Sequence, residues 1–374
     1  MNRMFSAGIA ALAAVLLEWL PSPAHAACQL SMLASVDVRI NPNGAVLVPV
    51  QLNGHDVWML LDMSSGMPLV NPQALKMLGL EAHGVGVKQI MLNGKPVLHQ
   101  ARADSLLIGN ANFAHWDLYV VPGSGRPPAM IAGRPVVGTM ASGFMNVVDL
   151  ELNLADHKMN LFKQSYCEGA QVYWGGEFTK EKLYADNSGL LYFPMEVDGK
   201  RVETSLNTEG ARSGLSEKVA RDYFGFKRDS PGVSHETRYN PQGQPVEFAV
   251  RNMSLTARGL SVPNLPIVIE PNRGGGTRCM PTASRDSAAI GFDGCNSVVP
   301  MALGTDVLRQ LRIYVASREK RIYFTRAGRN TPDSGAGPNA AAPDAAAGGD
   351  AARSAGAASG PGAAPAIPGA QPAR

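Results

Sequence analysis

The chain has 374 residues, 45% of them hydrophobic and 17% charged, with a formal net charge of only +3. Its Lys and Arg residues are scattered rather than gathered among aromatic residues, which excludes the electrostatic footprint of a nucleic-acid binder. It contains no Cys-x-x-Cys or His-x-x-x-His pair, and His83, His99 and His115 are too widely spaced for a zinc site on one element, so no metal and no cofactor is expected.

Residues 1–26 read as an export signal: Arg3 gives a positive start, Ile9 to Leu20 is an apolar run, and Ala24-His25-Ala26 is a small-x-small cleavage site. The run carries Glu18, is too short to span a bilayer comfortably, and is not replaced by any later segment, so no stable membrane span is expected. The mature protein is then exported, either periplasmic or secreted. His25 stands where a lipoprotein signal prefers an aliphatic residue, which argues against lipidation of Cys28. Four cysteines in an exported chain imply two disulfides. Of the connectivities open to them, Cys28–Cys167 brackets the first half and Cys279–Cys295 brackets one loop of the second, and this is the pairing expected.

Downstream, Ala45 to Leu52 and Val57 to Leu61 are apolar strands around Asn53-Gly54, a pair that accepts the positive φ of a tight hairpin turn. The second strand runs into Leu61-Asp62-Met63-Ser64-Ser65-Gly66. Pro72 suits the first turn of a short helix that ends near Leu78-Gly79-Leu80. Lys88 to Leu92 and Pro96 to Ala101 form a further hairpin about Asn93-Gly94. Val136-Val137-Gly138-Thr139 and the closing strands Val148 to Leu154 and Met159 to Phe162 complete the half.

After a junction at residues 169–188 the same order returns. Leu190 to Val197, Asp198-Gly199 and Val202 to Leu206 lead into Leu206-Asn207-Thr208-Glu209-Gly210-Ala211, followed by a helical segment from Ser216 to Phe224. Pro245 to Val250 answers the first half's extra hairpin. Ala302-Leu303-Gly304-Thr305 answers Gly138-Thr139, and Leu311 to Val315 with Arg321 to Phe324 closes the half. Asp306 is expected to cap the following turn of helix. Many short strands with little helix predict an all-β fold of two similar barrel-like lobes made by internal duplication, with short helices. From residue 328 to 374 Ala, Gly and Pro dominate, and a disordered tail is expected. Gly274-Gly275-Gly276 lacks the Lys-Ser/Thr ending of a phosphate loop, and Ser142 lacks a Gly-x-Ser-x-Gly frame.

The two halves resemble the lobes of bacterial retropepsin-like aspartic peptidases and, more distantly, of pepsin. The resemblance implies an N-terminal lobe at 27–168 and a C-terminal lobe at 189–327, each built as strand, tight turn, strand, Asp-Thr-Gly-Ala, and short helix. It places Asp62 on the first catalytic aspartate and Asn207 on the second, with Thr208 on the threonine that ties the two loops together. That chemistry needs two carboxyls close enough to share one proton, one to deprotonate water and the other to protonate the scissile carbonyl. An amide at Asn207 cannot titrate. The motif's Thr is Met63 in the first half, and its Gly is Ser64 in the first half and Glu209 in the second, where a side chain is expected to cost turn freedom and room.

The resemblance thus implies a pseudoenzyme, with proteolysis impaired or lost, that binds an extended peptide or protein segment between its lobes. The alternatives are an active endopeptidase that uses Asp62 as a residual base, and a structural envelope protein spaced from a surface by its tail. Asp62 can equally be a carboxylate kept to accept loop N–H groups, and Glu209 either a replacement acid or a solvated charge. The Asn93-Gly94 hairpin can be a flap over the cleft or an ordinary edge. Trp58, Trp116 and Phe144 belong to the core or line an apolar cleft. Nothing in the sequence sets the oligomeric state.

Overall fold

Asn53 and Asp198 take positive φ, +48° and +45°, and each is followed by a glycine with positive φ. The two hairpins expected from Asn-Gly and Asp-Gly form as Val46–Leu52 with His55–Asp62, and as Leu191–Val197 with Lys200–Leu206. Both are strands of closed barrels. In the computed structural model the described residues are 30–85, 90–92, 95–123, 125–164, 171–175, 177–186, 189–239, 244–257, 260–270, 281–283, 290–292 and 299–328. The export signal, all four cysteines with both expected pairings, the Asn93-Gly94 turn, Gly274-Gly275-Gly276 and the tail beyond residue 328 lie outside them.

Each barrel is a ring of strands in the same order. The first runs Val46–Leu52, His55–Asp62, Arg134–Ala141, Leu69–Val70, Ala111–Val120 and His99–Ile108, which pairs back to Val46–Leu52. The second runs Leu191–Val197, Lys200–Leu206, Met301–Leu303, Gly214–Ser216, Leu260–Glu270 and Pro245–Ala257, which pairs back to Leu191–Val197. The fold is therefore all-β and duplicated, and closure removes the sheet edges that an open array of this size would expose. Short helical turns follow each marked loop, Pro72–Ala74 with Asn71 as its cap and Glu217–Asp222 in the second half.

Register corrects one expectation. Met140 lies opposite Leu61, and Leu303 lies opposite Leu206, in parallel pairings. Gly304-Thr305 therefore corresponds to Ala141-Ser142, three residues beyond Gly138-Thr139. Matching by the Gly-Thr dipeptide fails because strand pairing, not the dipeptide, fixes position on the barrel.

The halves are joined by a six-stranded sheet in which Val148–Asn153 of the first pairs with Leu311–Ala316 of the second. Every residue of Val148–Asn153 is buried, including Glu151. Arg312 Nε donates to Glu151 at 2.6 Å, Tyr173 Oη donates at 2.6 Å and Asn160 Nδ2 at 3.1 Å, while the guanidinium lies 4.1 Å from the centre of the Trp174 ring. A buried carboxylate is tolerated only with such full pairing. No described helix is long and apolar enough to cross a membrane.

Candidate functional site: two matching loops at the barrel junction

Asp62 is the last residue of its strand and is 6% exposed. Ser64 donates to its Oδ1 twice, from the backbone N–H at 3.0 Å and from the hydroxyl at 2.7 Å. The second loop repeats the first of these bonds: Glu209 N–H donates to Asn207 Oδ1 at 3.2 Å. Neither Ser64 nor Glu209 has a positive φ. The expected cost in turn freedom at these positions is therefore not met, because the loop turns by a side-chain-to-backbone bond that any residue at the following positions permits.

Thr208 ties the loops together. Its fully buried hydroxyl accepts from Met63 N–H at 3.0 Å and donates to Leu61 O, so it grips the chain on both sides of Asp62. Met63 has no hydroxyl to return this grip. Its side chain, 1% exposed, packs with Leu183, Leu191, Phe193, Leu206, Val315 and Ile322 around a space too narrow for water.

A second set of ties comes from residues dismissed or misplaced at the level of sequence. Ser142 N–H and Oγ both donate to Ser65 O at 2.8 Å, and Ser142 Oγ also reaches Gly189 O at 2.7 Å. Its counterpart Thr305 donates from N–H at 2.9 Å and from Oγ1 at 3.3 Å to Gly210 O. Ser142 is thus a fastener and not a nucleophile, and register matching is the signal that finds it. Asp306 does not supply the helix cap, which is Gly304. Its carboxylate holds Ser213, accepting from N–H at 3.1 Å and from Oγ at 2.8 Å. Close backbone approach completes the junction: a Cβ on Gly44 would lie 2.3 Å from Ala211 Cα, so only glycine fits there.

Burial pushes the Asp62 carboxyl above its ordinary range, partly offset by the bonds from Ser64 and Ser65. Glu209 is pushed up to about 7, by burial first and then by the negative charge of Asp62. Thus the loop that carries Asn207 at the position matching Asp62 still places a carboxyl within electrostatic reach of Asp62, two residues further along. The aromatic residues do not share one cleft wall. Phe144 is buried against Phe113 and Trp116, whereas Trp58 is buried elsewhere, donating to Ile131 O at 2.9 Å. Among the described residues no group of His, Cys, Asp and Glu side chains is arranged to hold a metal ion.

Residues 48–136 match the family model of the aspartyl proteases. The match covers most of the first barrel, which is aspartic-peptidase-like, and the repeated strand order extends the same architecture to the second. No curated protein matches the chain. Among solved structures, it is similar to basic 7S globulin from soybean at 8% identity and a TM-score of 0.46, with 79% of this chain and 95% of that one covered. It is also similar to conglutin gamma, a basic 7S globulin from lupine seeds, at 10% identity and a TM-score of 0.44, with the same coverage.

Proposed function

We propose that this is an exported, aspartic-peptidase-like protein whose proteolysis is impaired or lost, and which binds an extended peptide or protein segment in the cleft between its barrels. The observation that carries this is Asn207. It occupies the loop position that Asp62 holds in the first half, and its amide oxygen is committed to Glu209 N–H, so it can neither titrate nor share a proton with Asp62. Support for peptide binding comes from hairpins in both halves, Ile90–Leu92 with Lys95–Val97 and Val233–Tyr239 with the start of Pro245–Ala257, which offer backbone for pairing with an extended chain. Export rests on the sequence of residues 1–26.

The test is incubation of the purified mature protein with a peptide library at acid and neutral pH. Saturable binding without cleavage is expected. Cleavage that disappears in Asp62→Ala overturns the loss of proteolysis, and absence of any peptide binding overturns the cleft role.

One observation favours a second reading, an active endopeptidase that uses Asp62 with an unorthodox partner. Glu209 feels the charge of Asp62 and holds its proton to about pH 7. In that case cleavage is lost in Glu209→Gln as well as in Asp62→Ala, and a statine-type transition-state mimic inhibits.

A further inference from the structure

A cavity of about 350 Å³ opens beside Asn207, walled by Gly210, Arg212, Arg238, Phe248 and Glu270. Asn207 presents a donor there. With its oxygen held by Glu209 N–H, the amide is oriented, and its Nδ2 is the atom nearest to where a Cβ on Gly210 would stand. Among the described residues Nδ2 makes no hydrogen bond. Arg238 lies with its guanidinium 5.5 Å from the centre of the Phe248 ring, and it pairs with Glu236 at 2.8 Å. Arg212 is spread over long contacts, to Glu236 at 3.4 Å, Pro266 O at 3.5 Å and Asp306 at 3.9 Å.

Two of these charged residues have uncharged counterparts in the first barrel. Tyr119 N–H bonds Pro68 O, and Val268 N–H bonds Ser213 O in the same way, which sets Arg212 against Met67 and Glu270 against Val121. The cavity walls carry two guanidiniums, two side-chain amides, Asn43 and Asn207, and a single carboxylate. Glu236 and Asp306 flank the arginines from outside the walls. The Arg238–Glu236 pair is over a third exposed on each side, the class of ion pair that contributes little and exchanges readily.

We propose that this cavity recognises a carboxylate on the bound ligand, with Arg238 and Arg212 as charged donors and Asn207 Nδ2 as the neutral one. The inference rests on the cleft-binding role proposed above and names its specificity. An acidic side chain and a peptide C-terminus carry the same group, and the experiment separates them.

The full mature protein is titrated with a capped apolar peptide containing one central Glu, with its Gln counterpart, and with the Gln peptide bearing a free C-terminal carboxylate. The Glu peptide is expected to bind roughly tenfold tighter than Gln, the change for one charge-assisted hydrogen bond. Arg238→Gln erases the preference and Glu270→Gln enlarges it. A preference for the free carboxylate, equally lost in Arg238→Gln, assigns the cavity to a chain end and upholds the proposal. Equal affinity for all three peptides, or a Glu preference untouched by Arg238→Gln, overturns it. N-acetylglutamate is titrated in parallel while the Arg238 Nε–H resonance is followed, with N-acetylglutamine as control. A saturable shift for the acid alone, with no peptide bound, upholds the cavity while sinking the cleft role. No shift and no peptide preference sinks the cavity.

Discussion

The two marked loops share a backbone and differ in almost everything that does chemistry. In both, a side-chain oxygen accepts the N–H two residues ahead, at 3.0 Å on Asp62 and 3.2 Å on Asn207. In both, a hydroxyl-bearing residue from the neighbouring strand end, Ser142 or Thr305, holds the carbonyl of the loop's fourth residue. Yet one loop carries an acid and no tying hydroxyl, and the other carries the hydroxyl and an amide in place of the acid. The comparison teaches that the two loops keep one backbone frame whether the marked position carries a carboxylate or an amide. An amide accepts the loop N–H as well as a carboxylate does, and a single threonine still spans the junction.

The sharpest way to break the comparison is at that threonine. Thr208→Val keeps the shape but leaves Met63 N–H buried without an acceptor and removes the bond to Leu61 O. The expected loss is about 2–4 kcal/mol, the sum of two net hydrogen bonds and one stranded donor. Chemical denaturation measures it, and a loss below the scatter of surface substitutions would show that the tie is idle.

A smaller effect is expected from restoring the missing partner. Met63→Thr gives up a buried side chain that packs with Phe193 and Ile322, but it offers a hydroxyl to the second loop. The packing loss of about 3–4 kcal/mol is partly recovered by two new bonds of about 1 kcal/mol each, so the net cost is about 1–2 kcal/mol. If Met63→Thr proves as costly as Thr208→Val, the apolar plug matters more than the tie.

Much of this was legible in the sequence, because hairpins announce themselves locally. Asn53-Gly54 and Asp198-Gly199 with their flanking apolar runs fixed both entry hairpins, and the hexapeptides at their ends marked the junction. Contacts set by register were not legible. Gly138-Thr139 looked like the partner of Gly304-Thr305, although strand pairing selects Ala141-Ser142. Nor did composition show Glu151 and Arg312, whose side chains lie far apart in the chain and meet only where the halves share a sheet. Breaking that pair by Glu151→Ala would cost about 3–5 kcal/mol by leaving the guanidinium without its buried partner. Ser64 and Glu209 read as damage because the family has glycine there, while the backbone they adopt needs no glycine.

The finest distinction between the loops is electrostatic, and Glu209→Gln tests it. Glu209 has an ordinary value of 4.5 and is raised to about 7 in the fold. A carboxyl whose folded value is raised favours the folded state fully below its unfolded value, and that contribution drains away as pH climbs through the folded value. The protein should therefore lose stability between about pH 5 and about pH 8, as Glu209 is forced to ionise beside Asp62. Asp149, raised to about 7 chiefly by burial, declines over the same window, so Asp149→Asn serves to remove its share. Glutamine at 209 stays neutral throughout. The melting temperature of Glu209→Gln should thus fall less steeply over this window than that of the parent, most visibly in the Asp149→Asn background. Parallel curves would mean that Glu209 is solvated and that the second loop contributes no carboxyl to the junction at all.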